Sequence, residues 1–400
     1  MSTQGPSPNI APGARLQITA LLCVFAALCA YLFRGVQHSG DGASYVLQAV
    51  QGDPFERSLH VGYLVFLKGW VWLASLAGIA PATAANLLAV LCTALALWLV
   101  TDIARDLLDD LAGAGQQAPW FPFAALAAPL SLLCAEVSWE ASLFAELYGP
   151  LATLSLAAAF ALRRDRDVLA ACLLLGAGLV HPGAWMLLPG LLLATGRKAD
   201  RRSVRLVAMA FVPWLICLAL LAPEWWSGGR GLLSLPAFER SAWQSMQVAW
   251  RLLSQDLGLG AAPVLLGAAW VVADPTLLRA RRWFFGVLLV ALGAALGVDR
   301  YTDNCGQLPA LWMSCCLAPL ACGWLRALAR PAAQRWAALI WLVILFLCIA
   351  DATSKHDAHA RKALRQHEAR ILLCPKGQGQ HDSWRETQLR HLACLNAEAP

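Results

Sequence analysis

YGPLATLSLAAAFALRRDRDVLAACLLLGAGLVHPGAWMLLPGLLLATGRKADRRSVR, residues 148–205, is three apolar runs separated by two kinds of break. Arg163, Arg164 and Arg166 close the first run, and Arg197, Lys198, Arg201, Arg202 and Arg205 follow the third. Cationic flanks resist translocation, so both basic breaks belong on the cytoplasmic side. The His181-Pro182-Gly183 turn between them then belongs on the external side. The runs at 168–180 and 184–195 are short for spans, and a polar hairpin between them is costly in lipid. That hairpin is expected to line a cavity.

The same rhythm extends along the chain. Arg279, Arg281 and Arg282 mark a third cytoplasmic break, and Arg326, Arg330 and Arg335 a fourth. Further apolar runs lie at 16–33, 83–101, 119–135, 148–162, 204–222, 259–273, 283–298, 309–325 and 336–351. With hydrophobic residues at 59% and charged residues at 14%, the 400-residue chain reads as an all-α integral membrane protein. About 11 transmembrane helices plus external juxtamembrane helices are expected. The net charge of +6 sits in the cytoplasmic loops and no basic-aromatic patch accompanies it, which argues against nucleic acid as a partner. Most of the 13 cysteines fall inside apolar runs as small hydrophobes, and no Cys-x-x-Cys occurs. Residues 1–351 form the polytopic part, and 352–400 a polar external tail whose Cys374 and Cys394 are placed for a disulfide outside the cytoplasm.

Arg15 before the first run puts the N-terminus in the cytoplasm. The apolar stretch 61–80 then breaks the count, because crossing there would turn every later basic cluster outward. It is therefore expected to lie at the external face as a juxtamembrane or re-entrant helix, with Trp70 and Trp72 suited to an interface. An ordinary span with Lys68 snorkelling is the competing reading. The tryptophans of 223–258 read first as headgroup anchors and second as a rim for a lipid-linked substrate.

The external breaks hold the residues that can do chemistry. Ser39-Gly40-Asp41-Gly42 is an Asp-Gly turn after the first run, followed by a short amphipathic helix over 44–51 that would hold the Asp41 carboxylate at the interface. His60-Val61-Gly62-Tyr63 opens the interfacial stretch, and a histidine there is either a cap or a functional group. Trp139 to Tyr148 carries Glu140 and Glu146 among Trp, Phe and Leu, where a carboxylate must be partnered or hydrated. Glu136, one turn before Glu140, reads as solvated. His181 is either a helix-end residue or a site residue. Arg300, between Asp299 and Asp303, has the guanidinium geometry that grips a phosphate, or pairs locally with those acids.

Taken together, these elements resemble the GT-C glycosyltransferases, polytopic enzymes that use polyprenyl-phosphate sugars, and within them the group akin to protein O-mannosyltransferases. That group has a Gly-Asp-x-Gly/Ser-type turn after its first span, matched by Gly40-Asp41 and the residues beyond it. It has a His-Pro-Pro-Gly-Tyr-like segment, here His60-Val61-Gly62-Tyr63 without the prolines. It has a Trp-x-x-Ala-x-x-x-Glu-Val-Tyr-like element, here Trp139, Ala141, Glu146, Leu147 and Tyr148, and a His-containing turn between two short spans. The match covers roughly residues 15–200, the expected catalytic module.

The resemblance implies a membrane enzyme that moves a sugar from a polyprenyl-phosphate donor to an acceptor hydroxyl on a protein, glycan or lipid. It implies an outward-facing site in the cytoplasmic membrane of a bacterium. Asp41 would be the catalytic base. Arg300, Arg57 or Lys68 would neutralise the leaving phosphate. Glu140 and Glu146, with His60, Tyr63, Tyr148 and His181, would bind sugar or acceptor. No Asp-x-Asp pair stands in the first loop, so a divalent metal is left open as a cofactor. The rival is a transporter or flippase of a lipid-linked or amphipathic substrate, opposed by the near absence of charge in the middle of the spans.

Overall fold

Where the sequence runs apolar the backbone is helical, because a segment in lipid must satisfy its own N–H and C=O groups. The computed structural model describes residues 42–51, 60–112, 121–135, 137–138, 141, 146–221, 241–244, 246–247, 256–297, 307–327 and scattered positions between 332 and 354. Among these residues the chain is all-helical. Helix α1 spans Gly42–Gln51, α2 Val61–Ser75, α3 Pro81–Ala112, α4 Phe121–Cys134, α5 Tyr148–Arg163 and α6 Asp167–Val180. Then follow α7 Ala184–Ala194, α8 Arg201–Leu221, α9 Ala261–Ala273, α10 Leu278–Gly297, α11 Leu308–Cys315 and α12 Leu320–Ala327.

The short helix expected after Asp41 is α1, and the two short runs around His181 are α6 and α7. One expected run differs. The stretch 309–325 is two helices, α11 and α12, because Pro319 has no N–H to continue the ladder. Tight turns from Cys316 N to Met313 O (3.2 Å) and from Leu317 N to Ser314 O (2.9 Å) carry the chain between them. Residues 307–323 are buried throughout, so this irregular backbone is shielded by protein and not by lipid.

The first span, Asp41, Arg57, Glu136, Glu140, Asp299, Arg300, Asp303 and the Cys374–Cys394 pair lie outside the described residues. Two described helical segments are long and apolar enough to cross a bilayer, Pro81–Asp109 and Arg201–Leu220. Shorter apolar helices surround them. Large apolar side chains face outward, including Val204, Leu220, Leu342 and Phe346. A surface of that kind suits lipid.

Small residues let the helices close up. A Cβ on Gly190 of α7 would lie 2.6 Å from the Val290 nitrogen of α10, and one on Gly286 of α10 would lie 2.6 Å from the Ala194 Cα of α7. The buried indoles find partners. Trp283 Nε1 donates to Met313 O at 2.9 Å, and Trp312 Nε1 to Ser138 Oγ at 3.0 Å.

Two hydrogen bonds fix the relative direction of α3 and α5. Thr153 Oγ1 donates to Cys92 O at 3.0 Å, and Arg164 Nη2 to Asp102 Oδ2 at 2.6 Å. The two helices therefore run the same way, and their C-terminal parts meet at a charged end. Helix α2 runs the opposite way. Tyr63 at its start lies beside Cys92, and Trp70 Nε1 further on donates to Ala84 O at 2.6 Å. It climbs toward Pro81, away from Asp102. The 61–80 segment thus lies away from the arginine end.

Candidate active site

His60 stands at the N-cap position of α2, yet its side chain makes no capping bond. Its Nδ1 lies 3.0 Å from Val180 O at the end of α6. A carbonyl only accepts, so Nδ1 carries a proton. Gly62 permits this approach. A Cβ there would come within 2.9 Å of the Leu179 carbonyl carbon and oxygen.

His181, the first residue of the turn between α6 and α7, lays its ring on His60, with centroids 5.1 Å apart and planes 20° from parallel. The Gly183 N–H donates to His181 Nδ1 at 2.9 Å, so the proton of this imidazole is on Nε2. Burial, helped by His60, pulls His181 down from about 6.5 to about 3, so it is neutral at neutral pH.

Three tyrosines enclose the pair. Tyr45 of α1 meets His60 edge-on at 6.1 Å and Tyr63 edge-on at 5.3 Å. Tyr63 is 1% exposed. Tyr148, the first residue of α5, has its ring centroid 6.4 Å from that of His181. Half-buried Glu146, just before α5, joins the same cluster. Burial first, then Tyr45, Cys92 and Glu146, holds the Tyr63 hydroxyl well above its ordinary value.

Of the residues singled out from sequence, His60, Tyr63, Glu146, Tyr148 and His181 come together from three separate parts of the chain. Lys68 is exposed on α2, about two turns beyond His60. Asp41, Arg57, Glu140 and Arg300 are not among the described residues, although α1 begins at Gly42, the residue after Asp41. Tyr45 was missed. Its signal was an aromatic ring on the short helix that follows the Asp-Gly turn. No group of three or more His, Cys, Asp or Glu among the described residues is arranged to hold a metal.

Chemically, the cluster offers ring faces and edges, a carboxylate, imidazole N–H groups, and phenol hydroxyls. Such a set matches a polyhydroxylated ligand, with apolar faces to cover and hydroxyls that both donate and accept.

No protein-family model matches this chain, and no curated protein matches it by sequence. Solved structures do match by shape. ArnT from Cupriavidus metallidurans bound to undecaprenyl phosphate superposes with a TM-score of 0.56 at 14% identity, over 97% of this chain and 76% of that one. The same protein in the apo state gives a TM-score of 0.55 at 14% identity, over 96% and 78%. At this identity the likeness carries the fold alone, an all-helical one among the described residues, as expected from the sequence.

Proposed function

We propose that this chain is a membrane glycosyltransferase that takes a sugar from a polyprenyl-phosphate donor and transfers it to an acceptor hydroxyl at the external face. The observation that carries this reading is the convergence of His60, Tyr63, Glu146, Tyr148 and His181 at one end of an ArnT-like fold. ArnT was crystallised with undecaprenyl phosphate, which supports a lipid phosphate as the carrier. The finer kinship with protein O-mannosyltransferases rests on the sequence elements at Asp41, His60, Glu146 and His181.

In the proposed reaction the acceptor oxygen forms a bond to the anomeric carbon as the bond from that carbon to the phosphate oxygen breaks. The acceptor proton passes to the Asp41 carboxylate, and polyprenyl phosphate leaves with the bonding electrons. A base in that position is worth roughly 100- to 10,000-fold. Arg57, Lys68 and Arg300 meet the charge that grows on the leaving phosphate. Glu146 accepts from a sugar or acceptor hydroxyl, and His181 donates from Nε2. The aromatic rings cover the apolar face of the sugar.

Mass spectrometry of glycans and glycoproteins from cells with and without the protein tests the reading. Loss of a sugar modification is expected, and an unchanged glycan profile would contradict it.

A further inference from the structure

A cavity of about 780 Å³ opens at the arginine end of the molecule. It is lined by Arg163 and Arg164 from the end of α5, Thr195 and Gly196 after α7, Arg279 and Arg282 in the first turns of α10, and Asp106, Asp109 and Asp165. Four arginines against three aspartates leave the lining net positive. The carboxylates are already engaged. Asp106 lies 3.5 Å from Arg163 and 3.7 Å from Arg164, and Asp165 lies 3.0 Å from Arg197 and 3.3 Å from Arg202. Arg279 bears on Asp109. Arg282 makes no ion pair with any described residue.

Two further features favour an anion. The Arg163 side chain is 9% exposed, and its Nε faces Asp106 at 3.5 Å without a hydrogen bond among the described residues, so its charge is only loosely matched. The start of α10 carries Arg279, Arg281 and Arg282 with no acidic residue in its first turn, so three cations add to the positive end of a helix dipole. Gly196 makes room for one of them. At φ +73 it has no Cβ to press on the Arg282 guanidinium, which would then lie 3.0 Å away.

We infer that this cavity is a binding site for a phosphate group, held by Arg282 and Arg279 with Arg163 behind them. Guanidinium forks match phosphate oxygens two at a time, and the Asp106 and Asp165 pairs hold the surrounding arginines in place. The phosphate comes either from a phospholipid headgroup of the adjacent leaflet or from a soluble phosphate. Basic pockets between helices at this side of a membrane accept such headgroups. The site lies at the far end of α5 from the His60–His181 cluster, so it stands independently of the proposed transfer reaction.

The full-length protein in nanodiscs separates the two sources. In one arm, inorganic phosphate is added to protein in phosphatidylcholine nanodiscs, against chloride at matched ionic strength. In the other, phosphatidylglycerol replaces part of the phosphatidylcholine. Thermal unfolding reports occupancy, and native mass spectrometry counts phosphate or lipid bound. A raised midpoint in either arm, with about a tenfold loss of apparent affinity in Arg282→Gln and none in Arg201→Gln, supports the site. Response in the first arm identifies a soluble source, and response in the second alone a headgroup. Arg279→Gln serves as the second variant should Arg282→Gln fail to fold. No response of the native protein in either arm, or equal responses in Arg282→Gln and Arg201→Gln, overturns the inference.

Discussion

The two ends of α5 handle polarity in opposite ways. At Arg163 the groups are ions, and most are matched to a partner. Arg164 holds Asp102, Arg197 reaches the Leu162 carbonyl at 2.9 Å and Asp167 at 2.8 Å, and Arg202 pairs with the same Asp167. At Tyr148 the groups are mostly neutral, and rings are stacked on rings. Matched ions on long side chains orient the helices and cap their carbonyls, and they rearrange easily. Imidazoles stacked under aromatic cover keep one geometry. The first end suits a membrane boundary, and the second suits the ligand proposed above.

If that contrast holds, substitutions at the Tyr148 end should be far more damaging. The largest effect is expected at Asp41, next to α1. Asp41→Asn should lower transfer roughly 100- to 10,000-fold while the protein still reaches the membrane, read as glycan formed from lipid-linked sugar at equal expression. Glu146→Gln should cost about 10- to 100-fold, since a neutral amide keeps part of a charged hydrogen bond. Near-normal turnover in Asp41→Asn would reduce that residue to a turn former and send the search to another external acid.

Next comes the contact that seats His60. Gly62→Val pushes a branched side chain into the Leu179 backbone and should destabilise the fold by about 1–3 kcal/mol, with activity falling alongside. Thermal unfolding measures it. An unchanged midpoint would mean that α2 is free to move off α6.

His181 supplies a pH test of the same end. Its folded value, about 3, lies below its ordinary 6.5, so the folded state binds fewer protons than the unfolded state between those limits. The associated stability is present above about pH 6.5 and is lost as the pH falls toward 3. His181→Phe keeps the ring and removes the titration. The drop in unfolding midpoint from pH 7.5 to pH 5 should therefore shrink in that variant. Equal drops in both proteins would place His181 in water. The smallest effect is expected at the other end, where Arg202→Gln, on a half-exposed side chain, should leave the midpoint unchanged.

How much of this was legible in the sequence depended on the kind of signal. Apolar runs are imposed by lipid, so α3, α5, α6, α7 and α8 stand where the runs do. The basic clusters after Arg163, Arg197 and Arg279 meet at one end because the same translocation rule acts on each. His60, Glu146 and His181 could be named because each is a polar residue in a short external break. Their stacking could not, since it depends on Gly62 letting α2 lie against α6. The break between α11 and α12 was hidden because composition stays apolar through Pro319. Tyr45 was hidden because a tyrosine on an amphipathic helix looks like packing. The arginine-end cavity was hidden because each cluster read as an orientation signal, and only the fold shows two of them facing one space.

The central claim is that the Tyr148 end transfers sugar from a polyprenyl-phosphate donor. The most direct measurement is the release of polyprenyl phosphate by purified protein in proteoliposomes supplied with polyprenyl-phosphate sugars and an acceptor extract. Mass spectrometry would follow the lipid, beside Asp41→Asn protein. The account predicts release by the native protein, matched by sugar appearing on an acceptor, and little or none by Asp41→Asn. Intact lipid-linked sugar moved across the bilayer without cleavage would contradict it and make the chain a transporter.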